Sequence, residues 1–96
     1  MLDVLSWHVM DATADDWESL DQIMPHVREF CGPVDPAQIA GLIASLVGRG
    51  MMEEMQGRPI EPTDVVEDPI EFWFRMTRLG RKIWDDEGYR YRADDL

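Results

Sequence analysis

The sequence predicts an α+β domain that is mainly helical, with three helices, two short strands around a long polar loop, and a closing helix. Three observations predict it. Apolar residues recur at three- and four-residue steps through the first half of the chain, which is the period of a helix with one buried face. The composition then changes after Gly50, and three of the six prolines fall between residues 56 and 69. Two short runs flank that proline-rich stretch, and the second has the aromatic content of a strand. With 96 residues, 45% of them hydrophobic, the chain is large enough to bury one core, so it folds despite a net charge of −11.

The first helix is expected over 2–12, where Leu2, Leu5 and Val9 share a face and Trp7 and Met10 flank it. A second helix begins within 11–16 and carries Leu20, Ile23, Val27 and Phe30 on one side, with Ser19 and Gln22 at capping-box spacing. Pro25 lies inside it, removes a backbone hydrogen bond, and should kink or break it near Met24. Cys31-Gly32-Pro33 ends it. Asp35-Pro36-Ala37-Gln38 is the strongest local signal: an acidic cap, proline at the first helical position, and a glutamine able to reach back. The third helix so started buries Ile39, Leu42, Ile43, Leu46 and Val47 and stops at Gly48-Arg49-Gly50. Strands are expected over 51–55 and 70–76. Thr77 then caps a last helix, 78–87, whose Leu79, Ile83 and Trp84 dock on the core, and Gly88 ends it. Residues 1–88 form the domain and 89–96 a tail that frays.

Charge excludes several functions. A chain this acidic is a poor ligand for polyphosphate or an anionic membrane surface, since both require cationic protein. Cys31 is the only cysteine, so no internal disulfide can form. The N-terminal residues lack a basic leader pattern and no apolar run approaches a membrane span, so the expected location is the cytoplasm. His8, His26 and Cys31 lack metal-ligand spacing, and Asp15-Asp16, Asp85-Asp86 and Asp94-Asp95 are sequence neighbours that point apart. The glycines end helices and form no phosphate loop. No catalytic, cofactor or metal residues are therefore expected, and the chain reads as a non-enzyme.

Two landmarks give the order of elements a family likeness. Leu46-Val47-Gly48-Arg49-Gly50-Met51 looks like a "Leu-Val-x-x-Gly-hydrophobic" junction, and Phe74-Arg75-Met76-Thr77-Arg78-Leu79-Gly80-Arg81 is similar to an "aromatic-x-hydrophobic-Thr-x-x-Gly-Arg" passage. In this order they resemble the winged helix-turn-helix domain of PadR- and MarR-type regulators. The resemblance implies that the third helix enters the DNA major groove and that the loop between the strands is a wing touching the backbone or minor groove. It also implies a dimer through the first and last helices, burying Trp7, Met10 and Trp84.

The residues in those positions point elsewhere. The outward positions of the third helix are Ala37, Gln38, Gly41, Ala44, Ser45 and Gly48; a DNA-binding regulator of this kind would have to use Gln38, Ser45, Arg49 and Arg58. Glu53, Glu54, Glu61, Asp64, Glu67 and Asp68 surround Arg58, and DNA would repel such a wing. Residues 1–68 hold fourteen acids and three bases, whereas residues 69–96 hold six of each. In the latter, Arg75, Arg78, Arg81 and Lys82 form a local basic patch, which either pairs internally or meets a partner. Trp73 lies beside Arg75 on one strand face, a pairing common in binding hot spots. The smooth face around Gly41 and Ser45 is either plain solvated helix or a flat surface for another helix. The expected function is protein–protein contact, as a homodimer or accessory subunit, through Gly41, Ser45, Trp73, Arg75, Arg78, Arg81 and Lys82. Two alternatives stand beside it: the DNA-binding regulator, and an acidic DNA mimic occupying a partner's cationic groove.

Overall fold

A computed structural model describes residues 2–92. The elements run α1 (Val4–Ala12), β1 (Glu18–Ser19), α2 (Leu20–Cys31), α3 (Pro36–Gly48), β2 (Met52–Glu54), α4 (Pro62–Glu67), β3 (Trp73–Met76) and α5 (Arg78–Glu87), closed by a 3-10 turn over Gly88–Arg90. The described residues thus form an α+β fold, mainly helical, with one antiparallel sheet in the order β1-β3-β2. No single helix among them is long and apolar enough to cross a membrane.

Local chemistry starts each main helix. Asp3 caps α1 by accepting from the Ser6 N–H at 2.7 Å, Asp35 caps α3 by accepting from Ala37 at 3.2 Å, and Thr77 Oγ1 accepts from Gly80 at 3.0 Å. Ser19 and Gln22 form the capping box of α2, so this helix starts at Leu20, later than the sequence suggests. It also runs unbroken through Pro25. The carbonyl that proline leaves unpartnered belongs to Asp21, and both residues are exposed, so water can satisfy it.

Helix α1 packs against α2, α3 and α5 and is enclosed on most sides, with Ser6, Trp7, His8, Val9 and Met10 all buried. This corrects the dimer interface expected from the regulator resemblance. Trp7 is 1% exposed and Met10 fully buried within a single chain, so neither is available to a second copy. Trp84, half-buried, stacks on Trp7 with ring centroids 6.1 Å apart and supplies the carbonyl that accepts the Trp7 indole N–H at 2.9 Å. Leu79 does not dock on the core either and is 51% exposed, because α5 turns Gly80, Ile83, Trp84 and Glu87 inward at helical spacing.

The two landmark segments meet in space. After α3, Gly50 adopts φ +78°, a conformation glycine takes without strain. That turn sets Met51 N–H on the Leu46 carbonyl and leaves the Met51 carbonyl to accept from Thr77 N–H at 3.0 Å. Thr77 Oγ1 donates to the Gly50 carbonyl at 2.6 Å. Gly80 then lies directly against the Met51 backbone. One threonine thus ties the exit of α3 to the entry of α5.

The region between the strands departs most from expectation. The second of the two expected strands covers only Trp73–Met76, with residues 69–71 in a turn, and the polar loop contains α4. Val65 of α4 is fully buried, α4 packs against α3, and the Pro69 carbonyl accepts from the Asp21 N–H at 3.4 Å. The loop therefore lies back on the helices. A fraying tail is also corrected as far as residue 92: Tyr91 Oη donates to the Leu2 carbonyl at 2.6 Å and the Arg92 guanidinium lies 5.0 Å from the Trp84 ring. Residues 93–96, with Asp94 and Asp95, lie outside the described residues.

Candidate functional site

Three surfaces hold the residues singled out from the sequence. On α3, Gln38, Ser45 and Arg49 are exposed, and Gly41 opens onto a face where an added Cβ would meet nothing within 4 Å. The core stripe of this helix is Ile39, Ala40, Ile43 and Leu46, with Leu42 and Val47 half-buried. Of the expected outward positions, Ala37, Gln38, Ser45 and Gly48 are exposed, whereas Gly41 and Ala44 are half-buried.

Arg58 is committed elsewhere, which corrects its placement among DNA-contacting residues. The Glu54 carboxylate, its side chain only 1% exposed, accepts from Arg58 backbone N–H at 2.7 Å, Nε at 3.3 Å and Nη2 at 3.1 Å. Arg58 Nη1 donates to Glu71 Oε1 at 3.0 Å, and the guanidinium lies 4.2 Å from the centre of the Phe72 ring. This is a clasp across the base of the β2–β3 connection. Burial pushes the Glu54 carboxyl up, but hydrogen bonds from Arg58 and Gln56 and the Arg58 charge outweigh burial and hold it below the ordinary carboxylate range.

Because the folded state holds Glu54 ionised, the clasp's stabilisation is fully present above the ordinary value of 4.5 and is lost as pH falls through the lower folded value. Arg58→Ala strands a buried carboxylate. The thermal midpoint at neutral pH should fall by on the order of 5–10 °C, and by less at pH near 4, where the stranded group takes up a proton. Calorimetry at the two pH values checks this.

The basic patch is largely engaged. Arg75 pairs with Glu53 at 3.1 Å and lies 4.3 Å from the Trp17 ring centre; Arg81 donates to the Ala14 carbonyl at 2.7 Å; Lys82 pairs with Asp86 at 2.8 Å. Arg78 is exposed with no acidic partner among the described residues. Trp73 is half-buried and donates its indole N–H to the Ile70 carbonyl at 2.9 Å, so it holds the turn before β3 together. Arg78, Arg81, Lys82, Trp84 and Asp85 together line a shallow depression on α5.

A fourth cluster was not legible from spacing along the chain. His8 and Asp11 sit one turn apart on α1, and α2 brings His26 beside them. His26 Nε2 donates to Asp11 Oδ2 at 3.0 Å, and Asp11 Oδ1 accepts the Trp84 indole N–H at 3.0 Å. Phe30 stacks on His8 with centroids 4.9 Å apart and planes within 5°, and Trp7 meets the same ring edge-on at 5.1 Å. His8 is 5% exposed, and its Nδ1 is buried with no hydrogen-bond partner among the described residues. Burial therefore pushes the His8 imidazole toward its neutral form, over the opposing pull of Asp11. Cys31 follows His26 by five residues on α2, and burial pushes its thiol up.

No protein-family model matches the chain, nor does any curated protein or solved structure.

Proposed function

We propose that the chain is a winged-helix domain that works by protein–protein contact, as a homodimer or accessory subunit, with no catalytic role. The single observation that carries this reading is the Arg58 clasp. The one cation in the loop that would touch DNA is bound to two glutamates, and the loop folds back onto α3 with its other acids exposed. A DNA backbone with one charge per ~1.7 Å finds no complementary field there. Supporting the winged-helix assignment are three helices leading into an antiparallel pair, and the meeting of the two landmark segments at Met51, Thr77 and Gly80.

The contact surface in this reading is the open face of α3 around Gly41 and Ser45, with Arg78 and its neighbours on α5 as a second, charged region. A dimer using it does not require Trp7 or Met10. Gly41→Arg projects a long side chain into open space and replaces a poor helix former, so the thermal midpoint should hold or rise slightly. Sedimentation of the wild-type chain at rising concentration, with co-purification of partners, should show an association that this variant abolishes. Loss of folding in Gly41→Arg, or unchanged association, overturns the α3 surface. Titration of random duplex DNA at low salt is expected to show no binding, and clear binding would overturn the reading in favour of a regulator using Gln38, Ser45 and Arg49.

A further inference from the structure

We propose that His8, Asp11 and His26 form a site for one first-row divalent transition metal of the zinc class, with a further coordination position open to water. This goes beyond the protein-contact reading and does not depend on it. A ring nitrogen from each histidine and a carboxylate oxygen of Asp11 all lie within 4.8 Å of one another, and no other group of three such side chains comes this close among the described residues. A metal with bonds of about 2.0–2.1 Å in tetrahedral array separates its ligand atoms by about 3.3 Å. The 3.0 Å contact between His26 Nε2 and Asp11 Oδ2 is already near one edge of that tetrahedron. An ion would take the place of the hydrogen on Nε2, with the ring keeping its proton on Nδ1.

The second observation is the orphaned nitrogen. A buried polar atom without a partner costs free energy, and nearly all such atoms in folded proteins are satisfied. His8 Nδ1 is buried among aromatic rings with no partner among the described residues, so the ring has coordinating capacity that no hydrogen bond uses at that atom. The surroundings are those of a supported ligand set. Trp84 N–H fixes Asp11 through the oxygen that faces away from His26, the role an outer hydrogen bond plays at metal carboxylates. Phe30 and Trp7 fix the His8 ring plane. His26 and Asp11 side chains remain 29% and 23% exposed, which leaves an entry path. Two imidazoles and a carboxylate suit zinc, cobalt or ferrous iron, and do not suit calcium or magnesium, which take oxygen ligands.

The test uses the full chain stripped of metal with a chelator, then titrated with Co2+ and Zn2+. Binding of one ion per chain is expected, with Co2+ giving the visible absorption of a low-coordinate site and displaced by Zn2+. His8 and His26 are the only histidines in the sequence, so both ring signals in the proton NMR spectrum should be shifted or broadened by Co2+ without any substitution. His26→Ala should weaken binding by at least about 100-fold and Asp11→Asn by at least about 10-fold, since losing an outer-shell partner alone costs about 10–100-fold. The double variant Asp15→Asn/Asp16→Asn removes neighbouring surface charge and should bind as the wild type does. Circular dichroism checks that each variant folds. Absence of stoichiometric binding at micromolar metal, an unperturbed histidine signal with Co2+ bound, or equal affinity in Asp11→Asn would each overturn the site.

Discussion

Gly80→Ala is expected to detach α5 from the sheet and destabilise the chain by more than about 3 kcal/mol, above the usual range for overpacked sites. In an ordinary helix the same change is favourable by roughly 0.5–1 kcal/mol. Here the added Cβ would fall 1.8 Å from the Met51 carbonyl oxygen and 2.7 Å from its carbon, and both belong to backbone that has no rotamer to change. Nor can that backbone move freely, since the Met51 carbonyl accepts from Thr77 and its N–H donates to Leu46. Urea titration followed by tryptophan fluorescence measures the loss. Gly48→Ala is the matched control, since its Cβ would enter open space and its stability should be unchanged or higher. A Gly80→Ala chain as stable as wild type would show that α5 docks by another route.

Trp7→Ala should cost about 3–5 kcal/mol, the range for removing a large buried aromatic side chain, out of a total that for domains of this size is about 5–15 kcal/mol. The ring fills the space between α1 and α5, stacks on Trp84, and lies 5.8 Å from Tyr91. The Trp84 carbonyl also loses the indole N–H that it accepts. Equilibrium unfolding of this variant should be as steep a function of denaturant as before, and its loss relative to wild type should be the same at every protein concentration. A concentration-dependent loss would instead return Trp7 to an interface between chains. Trp7→Phe, which keeps one aromatic ring and gives up the hydrogen bond and the rest of the indole, should recover part of the difference.

What could be read in advance divides along the range of the interaction. The caps at Asp35, Ser19 and Thr77, and the inward stripe of α3, depend on residues within four positions of one another, so sequence spacing carries them. The sheet was half legible. β1 is two residues long and exists only because Glu18 and Ser19 meet Phe74 and Trp73 on β3, while Ser19 also caps α2. α4 is six residues with a proline first, a proper start, but its acidic composition reads as loop until Val65 is seen packed beside α3. Arg58 shows the same limit. Four residues separate it from Glu54, yet thirteen separate it from Glu71, and only the return of β3 makes the clasp. In the cluster of His8, Asp11 and His26, the three-residue step from His8 to Asp11 is local to α1, and helix packing adds His26. No local pattern marks the fifteen-residue step from Asp11 to His26.

The sheet has a further consequence. Its outer strands, two residues in β1 and three in β2, each give one side to β3, and β2 carries Glu53, paired to Arg75 across the ladder. An arriving strand would find almost no run of backbone to extend, and charge where it tried. The fold thereby resists growing edge to edge into fibrils, and it closes off capture of a partner's extended segment by strand addition.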